Sequence, residues 1–430
     1  MSGQDTDPPA PILPVGKPIS GAGQPVAGAG KPVSAADIVE AGRGISRRIQ
    51  VVNAPVVRAS SVLFDSVESA FAEGQPATVG ELHRATYATS GTETTFALMD
   101  ALATLEGQPH RCRAALMPSG LAAISTALLA FTQPGDHLLM SDSVYGPARV
   151  FVTTMLARFG VRTTFFDPQI EAQGPGGLAE LIEADTRVIY LESPGSYTFE
   201  IQDVPAICAL ARSRGIVTML DNTYASPCLA RPFDWGVDMT LVALTKYWAG
   251  HSDLLMGAVV VREEHFARLW AAVKQLGICV GGDDAWLVLR GMRTVDVRMR
   301  RHQETALAVA RWLQQRPEVR RVLHPGLPEH PRHELFKRDF LGSCGLMSFE
   351  LEPATPDQVA ALCNGRRHFS IGYSWGGYES LIMPAAIGAA RTVQKWAGAP
   401  LIRIHCGLED AADLIGDLEE GLQALAAAGR

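Results

Sequence analysis

Lysine is scarce in this chain of 430 residues, because only six of its 38 basic residues are lysines and the rest are arginines. Extended basic stretches are also absent, the net charge at pH 7 is −7, and the pI is about 5.9. Nucleic acids and anionic membranes attract clustered lysine and arginine side chains. Neither a nucleic acid nor a membrane is therefore an expected partner.

Long apolar runs and paired cysteines are missing as well. No run approaches the roughly 18 apolar residues of a membrane-spanning helix, and residues 1–35 show neither the basic start nor the apolar centre of a secretory signal. The seven cysteines are odd in number, widely spaced and without a CxxC pair, which argues against a disulfide framework and a zinc site. We expect buried free thiols, no metal and a cytoplasmic location.

The composition is typical of a packed globular enzyme, with 47% hydrophobic and 19% charged residues. A chain of this length exceeds one typical core, so two domains are expected. Residues 1–35 are rich in proline, glycine and alanine and predict a disordered tail.

From Ala114 onward, short apolar strands alternate with helices. The predicted strands are Ala114–Met117, His137–Met140, Val161–Phe166, Arg187–Leu191, Ile216–Leu220 and Met239–Leu244. The predicted helices are Leu121–Phe131, a segment near Pro147–Phe159, a segment near Leu178–Ala184, and Val204–Arg214. This alternation predicts an α/β fold with a mostly parallel sheet flanked by helices. The C-terminal part predicts a smaller α/β domain, with a helix near Val295–Gln315, strands at Leu346–Leu351 and Leu401–His405, and a closing helix at Asp410–Ala427.

Polar residues follow these strands at the edge where open α/β sheets hold their sites. They are Ser119-Gly120, Glu192, Asp221 and Lys246. The Ser119-Gly120 turn opens a helix whose free backbone N–H groups would bind an anion, and Asp221 needs a cationic partner at that depth. The plainer alternatives are a simple loop and an aspartate that caps its own turn.

Lys246 lies between two apolar runs in a chain that otherwise prefers arginine. Burial lowers a lysine pKa and frees the amine for a Schiff base or a proton transfer. The alternative is a lysine that extends past apolar neighbours to the surface, and this segment alone favours neither.

Two further residues have equally open readings. Tyr145 would stack on a planar cofactor or would simply pack in the core. Arg403, in an apolar strand, would bind a carboxylate in two-point contact or form a structural ion pair. Taken together with Lys246 and Asp221, they indicate a pyridoxal-phosphate enzyme that acts on an amino acid.

The chain resembles the fold-type I, pyridoxal-phosphate-dependent enzymes of cysteine and methionine metabolism from about Tyr87 to its end. The resemblance is carried by Gly135-Asp136, Tyr145-Gly146, Glu192-Ser193-Pro194, Asp221-Asn222-Thr223, Thr245-Lys246-Tyr247 with Gly250-His251-Ser252-Asp253, and Leu401-Ile402-Arg403. Within the family, Glu192 to Ser196, Phe199 to Asp203 and Tyr373 to Ser380 are similar to the cystathionine β-lyase branch.

The resemblance implies a role for each matching residue. Lys246 would hold the cofactor and move the α-proton, Asp221 would pair with the pyridine nitrogen, and Tyr145 would stack on the ring. The implied phosphate ligands are Gly120, Leu121, Thr245 and, from the neighbouring subunit, Tyr87. Thr223 is a further implied cofactor-binding residue. The implied ligands of the substrate carboxylate are Arg403, Ser374 and Trp375.

The resemblance also implies an organisation and an assembly. Residues 36–90 would form an arm that reaches the neighbouring subunit's site, residues 91–290 the cofactor-binding domain and residues 291–430 the small domain, in a homotetramer built as a dimer of dimers. Two positions depart from the family pattern, Thr89 for the usual Arg and Ala243 for a frequent Ser, and both remove phosphate ligands. Arg84 is a candidate to replace them.

The expected activity is β-elimination of cystathionine to homocysteine, pyruvate and ammonia. The alternatives are a γ-lyase, γ-synthase or sulfhydrylase on the same scaffold, and a non-catalytic regulator that keeps the pyridoxal-phosphate fold.

Overall fold

The structure, a computed structural model, describes residues 33–43, 52–73, 85–396 and 398–429. Nearly all of the tail predicted at residues 1–35 lies outside these ranges. The first described helix, α1 (Ala35–Glu40), begins after Ser34, whose hydroxyl accepts from the backbone N–H of Asp37. This capping serine satisfies one of the free amides that begin any helix.

Seven strands form the larger sheet, in the order β1-β7-β6-β5-β4-β2-β3. Their bounds are β1 (Cys112–Met117), β2 (His137–Ser141), β3 (Arg162–Phe166), β4 (Thr186–Glu192), β5 (Val217–Asp221), β6 (Met239–Ala243) and β7 (Gly257–Arg262). Only β7 runs antiparallel to its neighbours. The mostly parallel sheet predicted from the alternating pattern is confirmed.

Helices pack on both faces of this sheet, because successive strand residues point to opposite sides. Met140 joins the core cluster that contains α4 and α8, whereas Leu139 packs with α6. The helices of this part are α2 (Val67–Glu73), α3 (Glu93–Gly107), α4 (Gly120–Phe131), α5 (Gly146–Phe151), α6 (Val204–Ser213), α7 (Ser226–Leu229), α8 (Glu263–Gln275) and α9 (Gly282–Met292).

Two helices differ from the prediction. The helix expected near Leu178–Ala184 is only a 3-10 turn at Leu178–Leu181. The backbone just before it turns at Gly174 and Gly176, which have φ of 96° and 71°, and these turns shorten the stretch that could be helical. The helix expected near Pro147–Phe159 changes at Val152–Leu156 to π-helical hydrogen bonding.

Five strands form the second sheet, in the order β10-β11-β12-β9-β8. The strands are β8 (Val319–Leu323), β9 (Leu346–Leu351), β10 (Ser370–Ile371), β11 (Leu381–Pro384) and β12 (Leu401–His405), and the helices are α10 (Val295–Leu313), α11 (His333–Asp339), α12 (Pro356–Cys363) and α13 (Ala411–Ala428). Residues of α10, α12 and α13 share one hydrophobic cluster with this sheet. The predicted smaller α/β unit therefore has a core of its own.

In residues 52–73, the described segment ahead of α3, the side from Ala54 to Arg58 is bonded to α3 and α9. Thr94 fixes it by accepting from the Val57 N–H at 2.8 Å and donating to the Pro55 carbonyl at 2.6 Å. Beyond that anchor, large apolar side chains face solvent, with Leu63 93% and Phe71 73% exposed. No other described residue of this chain covers these exposed apolar side chains.

All seven cysteines are free thiols. The expectation that they are buried is wrong for Cys279, which is exposed beyond the end of α8, and Cys112 and Cys228 are only partly buried. No helix within the described ranges is long and apolar enough to cross a membrane.

Candidate active site

Lys246 lies in a tight turn that follows β6. The turn is closed by the Gly250 N–H, which donates to the Lys246 carbonyl at 2.8 Å, and by the Thr245 N–H, which donates to Met256 O at 3.2 Å. Gly250 has a φ of 71°, which glycine adopts without strain. The lysine backbone is thus fixed at the carboxyl end of a buried strand.

The amine of Lys246 points toward the second sheet. It donates to Ser374 Oγ and lies 5.1 Å from the centre of the Trp375 ring. Burial, with the nearby charge of Arg403, lowers the pKa of Lys246 to about 8, while Asp221 acts in the opposite direction. A substantial fraction of this amine is therefore neutral near physiological pH, as proton transfer or nucleophilic attack requires.

Asp221 ends β5, next to the strand that leads to Lys246. Its Oδ1 accepts from the Thr223 N–H at 3.0 Å. Burial raises the pKa of this carboxyl group, against the effects of Thr223 and the Lys246 charge. Among the described residues, no cationic side chain forms an ion pair with Asp221, so the site has a place for a bound cationic group.

The hydroxyl groups of Thr223 and Thr245 fasten the chain around Lys246. Thr223 Oγ1 accepts from the Ala243 N–H at 2.9 Å, and the same hydroxyl acts on the Asp221 carboxyl group, whose pKa it lowers. Thr245 Oγ1 accepts from the Met256 N–H at 3.0 Å and donates to the Met256 carbonyl at 3.2 Å. In this structure the Thr245 proton therefore already has an acceptor within the protein.

The N-terminus of α4 approaches the same strand closely. A Cβ on Gly120 would lie 2.8 Å from the Cβ of Ala243, so the two backbones require small residues at both positions. The amides of Gly120 and Leu121 are in the first helical turn, where no acceptor exists within the helix. Together with the positive end of the helix dipole, they provide a binding place for a phosphate.

Tyr145 precedes α5 and is 44% exposed. Its backbone N–H donates to Glu192 Oε2 at 2.6 Å. Burial raises the pKa of its phenol, and the charge of Asp221 adds to the shift. The ring is thus electrostatically coupled to Asp221 and retains an open face.

A loop between β10 and β11 carries Ser374 and Trp375 to the lysine. Ser374 has a φ of 76° and Gly376 a φ of 88°. A Cβ on Gly376 would meet the Lys246 Cα at 3.1 Å, so glycine permits the close approach. The unfavourable conformation of Ser374 costs roughly 1–3 kcal/mol and indicates that its position is selected for something other than backbone stability.

Arg403 lies on β12 and fixes this loop. Its Nη2 donates to the carbonyl of Ser374 at 3.1 Å and, at 3.4 Å, to that of Gly372. Burial lowers the pKa of Arg403. Within the described residues it has no carboxylate partner, so its guanidinium group is available to an anionic ligand.

Tyr87 lies apart from this group in the single chain. It forms an isolated bridge with Ser61, is 49% exposed, and its hydroxyl accepts from Ser60 Oγ at 3.4 Å. Thr89 follows in a 3-10 turn, and Arg84 lies outside the described residues. The structure therefore brings together Lys246, Asp221, Ser374, Trp375 and Arg403, but it does not join Tyr87 to them.

Sequence reasoning missed the residues that support this site. Asp142, one residue beyond β2, accepts from three consecutive backbone N–H groups at Thr392, Val393 and Gln394, at 3.0 to 3.2 Å. Glu192 was recognised at a strand end but received no role. The sequence does contain a signal for Asp142: it follows the buried strand β2 directly, just as Asp221 is the last residue of the buried strand β5.

The residues present fit pyridoxal phosphate. The fit rests on the buried amine of Lys246 with its lowered pKa, on Asp221 without a cationic ion-pair partner among the described residues, and on the free amides at the start of α4. These are the attachment point, the ring-nitrogen partner and the phosphate seat that this cofactor needs.

Residues 35–423 match the family described as Cys/Met metabolism PLP-dependent enzymes. The chain is 41% identical over 396 residues to a cystathionine β-lyase of Escherichia coli (strain K12), across 89% of this chain and 96% of that protein. It is 39% identical over 397 residues to an L-alanine/L-glutamate racemase of Wolbachia pipientis wMel, across 90% and 96%. A crystal structure of cystathionine γ-synthase from Xanthomonas oryzae pv. oryzae, at 34% identity, has a TM-score of 0.82 and covers 92% of this chain and 98% of its own.

The match spans most of the chain, and its solved neighbour shares the two-sheet architecture. The resemblance stated from the motifs, its fold class and its cofactor are confirmed. This chain belongs to the Cys/Met metabolism PLP-dependent enzyme family.

Proposed function

We propose that this enzyme is a carbon–sulfur lyase that carries out β-elimination on cystathionine and releases homocysteine, pyruvate and ammonia. The observation that carries the proposal is the Lys246 amine, whose pKa is lowered to about 8 where it lies against Ser374 and Trp375. The name of the Escherichia coli relative supports the choice of reaction. Bound pyridoxal phosphate supplies an electron sink for the charge left when the substrate α-carbon loses its proton.

Lys246 has two tasks in this proposal: it attaches the cofactor, and its amine removes the α-proton. The second task requires a base with a pKa near the working pH. Asp221 supplies the negative charge opposite the cofactor ring nitrogen and keeps that nitrogen protonated. Tyr145 offers the face of its ring to the cofactor.

The phosphate ligands are the N–H groups of Gly120 and Leu121, and Thr223 contributes to the cofactor site beside Asp221. Thr245 joins the phosphate ligands if its proton turns away from Met256, and Tyr87 comes from a neighbouring subunit. Arg403, assisted by Ser374 and the backbone at Trp375, holds the substrate α-carboxylate, since a guanidinium group matches a carboxylate in two-point contact.

The proposed assembly is a homotetramer, a dimer of dimers, in the cytoplasm. Residues 36–90 form an arm that packs on a second copy, residues 91–290 bind the cofactor and residues 291–430 form the small domain. The exposed Leu63, Val67 and Phe71 support the arm, because apolar side chains of this size are normally covered.

Replacement of the lysine tests the reaction. Lys246→Ala is expected to lack the visible absorption band of the attached cofactor and to release no pyruvate from cystathionine. Lys274→Ala is the matched control, because Lys274 is an exposed residue of α8 that lies over Trp270. It should keep both properties. Turnover retained by Lys246→Ala would refute the assignment.

Product analysis separates the rivals. A γ-lyase releases 2-oxobutyrate from cystathionine in place of pyruvate, and a racemase returns the opposite enantiomer of alanine or glutamate. The racemase is a specific rival because a 39% identical relative bears that name and both reactions begin with loss of the α-proton. A non-catalytic regulator would bind the cofactor and form none of these products.

A further inference from the structure

Glu192, the last residue of β4, has no task in the proposed reaction. Its Cα pairs with that of Asp221 across the neighbouring parallel strands β4 and β5. Residues paired in this way project from the same face of a sheet. Glu192 is only 9% exposed and Asp221 is half-buried, so two carboxyl groups largely withdrawn from water lie on neighbouring strands at the edge of the site.

The carboxyl group of Glu192 connects two other segments to this edge. Oε2 accepts from the Tyr145 N–H at 2.6 Å, and Oε1 is hydrogen bonded to the hydroxyl of Ser196. Tyr145 begins α5 without a side-chain cap, and Ser196 lies in the connection from β4 to α6. The direction of the Tyr145 ring therefore depends on where this carboxyl group is held.

The surroundings of Glu192 favour one shared negative charge over two. The groups that act on it are Asp221 from β5, Tyr190 from β4 itself, Tyr145 ahead of α5, and Arg391 from the segment before β12. Burial and the charge of Asp221 raise the pKa of Glu192 to about 8, against its hydrogen bonds and Arg391. Two adjacent carboxyl groups in a buried site titrate as a pair. Asp221 is the member that faces Lys246.

We propose that Glu192 is a positioning residue that acts as a neutral carboxyl group: it fixes the Tyr145 backbone and Ser196, and it leaves Asp221 as the single negative charge of the pair. In the neutral state Oε1 carries the proton and donates it to the Ser196 hydroxyl, which reverses the bond that Ser196 donates to an ionised carboxylate, and Oε2 remains the acceptor for the Tyr145 N–H. The role given to Asp221 as the single negative charge rests on the proposed function, whereas the protonation of Glu192 can be tested without it.

Three variants test the kinetic consequence. Glu192→Gln keeps an acceptor for Tyr145 and a donor for Ser196 without a charge, whereas Glu192→Leu removes both. Glu192→Gln should keep kcat within about threefold of the parent and Glu192→Leu should lose at least about tenfold, as expected for a lost hydrogen bond to a positioned group. Glu200→Gln is the matched control, because Glu200 is a buried carboxyl group in the same connection that bonds to Thr198 and not to Tyr145. It should resemble the parent.

Either of two outcomes would overturn the proposal. A Glu192→Gln variant as impaired as Glu192→Leu would mean that the site needs an ionised carboxylate. Parent-like rates in both variants would mean that Glu192 positions nothing.

A second measurement does not depend on activity or on the folding of Glu192→Leu. Infrared difference spectra of the cofactor-loaded protein, recorded between about pH 6 and about pH 9, should contain a protonated-carboxyl band that disappears as the pH rises. The band should be weaker in Glu192→Gln than in the parent by one carboxyl group. Equal bands in the parent and Glu192→Gln would reject a protonated Glu192. If the parent forms no pyruvate, the proposed function fails and the infrared result still stands.

Discussion

Asp142 and Glu192 stand at the ends of β2 and β4, which are neighbours in the large sheet, yet their carboxyl groups have opposite electrostatic properties. Burial alone would raise the pKa of both. For Asp142 the backbone N–H groups of Thr392 to Gln394 and the guanidinium of Arg149 outweigh burial, so the pKa is lowered. For Glu192 burial and Asp221 prevail, and the pKa rises to about 8.

The difference shows that a position at a buried strand end does not determine the charge of a carboxyl group. The charge is determined by the number and kind of hydrogen-bond donors and charges around that group. Asp142 has enough donors to remain ionised and holds the segment before β12 against the large sheet. Glu192 is hydrogen bonded only to two neutral groups, the Tyr145 N–H and the Ser196 hydroxyl, and has a negative neighbour, so it is suited to hold a proton beside a reaction site.

The largest expected effect comes from removing the ionised partner. Asp142→Ala leaves Arg149 buried without its carboxylate and three backbone amides without an acceptor. It is expected to lower the free energy of unfolding by about 3–5 kcal/mol, measured as a fall in the urea midpoint of the cofactor-loaded enzyme. Asp142→Asn, which keeps one acceptor oxygen, should lose less. A midpoint unchanged in Asp142→Ala would remove the contrast with Glu192.

The pH dependence of stability sharpens the same contrast. Between its ordinary value of 4.5 and about 8, folded Glu192 keeps a proton that the unfolded chain releases. The parent therefore loses stability as the pH rises through this window, by at most about 1.4 kcal/mol per pH unit. Glu192→Gln lacks this contribution and should gain on the parent from about pH 5 to about pH 8 in urea-midpoint measurements. Parallel curves for parent and variant would contradict the assignment.

The smallest expected effect concerns one hydroxyl group at Asp142. Thr392 Oγ1 donates to Asp142 Oδ1 at 3.0 Å and accepts from Arg149 at 3.2 Å. Thr392→Val should cost about 0.5–1.5 kcal/mol of unfolding free energy, because the backbone donors remain. Thr154→Val is the control, since that exposed hydroxyl donates only to the Val150 carbonyl within its own helix. If both variants lose the same free energy of unfolding, the hydrogen bond from Thr392 to Asp142 contributes no more than an exposed bond within a helix.

Local pattern predicted the secondary structure well where a strand is a continuous apolar run. Strands β9 and β12 coincide with their predicted ranges, and the ends of β4, β5 and β6 differ by one residue. The pattern failed near Leu178–Ala184, where apolar residues at helical spacing follow glycines in left-handed conformations. The spacing of apolar residues does not show how many residues of a segment are needed to form the turns that precede it.

In the small-domain half of the site, Arg403 was indicated by its apolar strand, whereas Ser374 and Trp375 were predicted from the family resemblance alone. Ser374 has a backbone conformation that serine rarely adopts, and Gly376 packs against the Lys246 backbone from a distant part of the chain. Neither property leaves a periodic signal, because both depend on contacts between separate sheets.

The sequence by itself determined that Lys246, Asp221 and Glu192 gather at one edge, since parallel strands bring their carboxyl ends to the same side of a sheet. Only the tertiary structure decided which neighbouring carboxyl group is ionised. The donors that hold the charge of Asp142 lie about 250 residues further along the chain, and the charge that opposes ionisation of Glu192 comes from the adjacent strand. Proton affinity depends on the groups that folding brings into contact, which the order of residues along a strand does not contain.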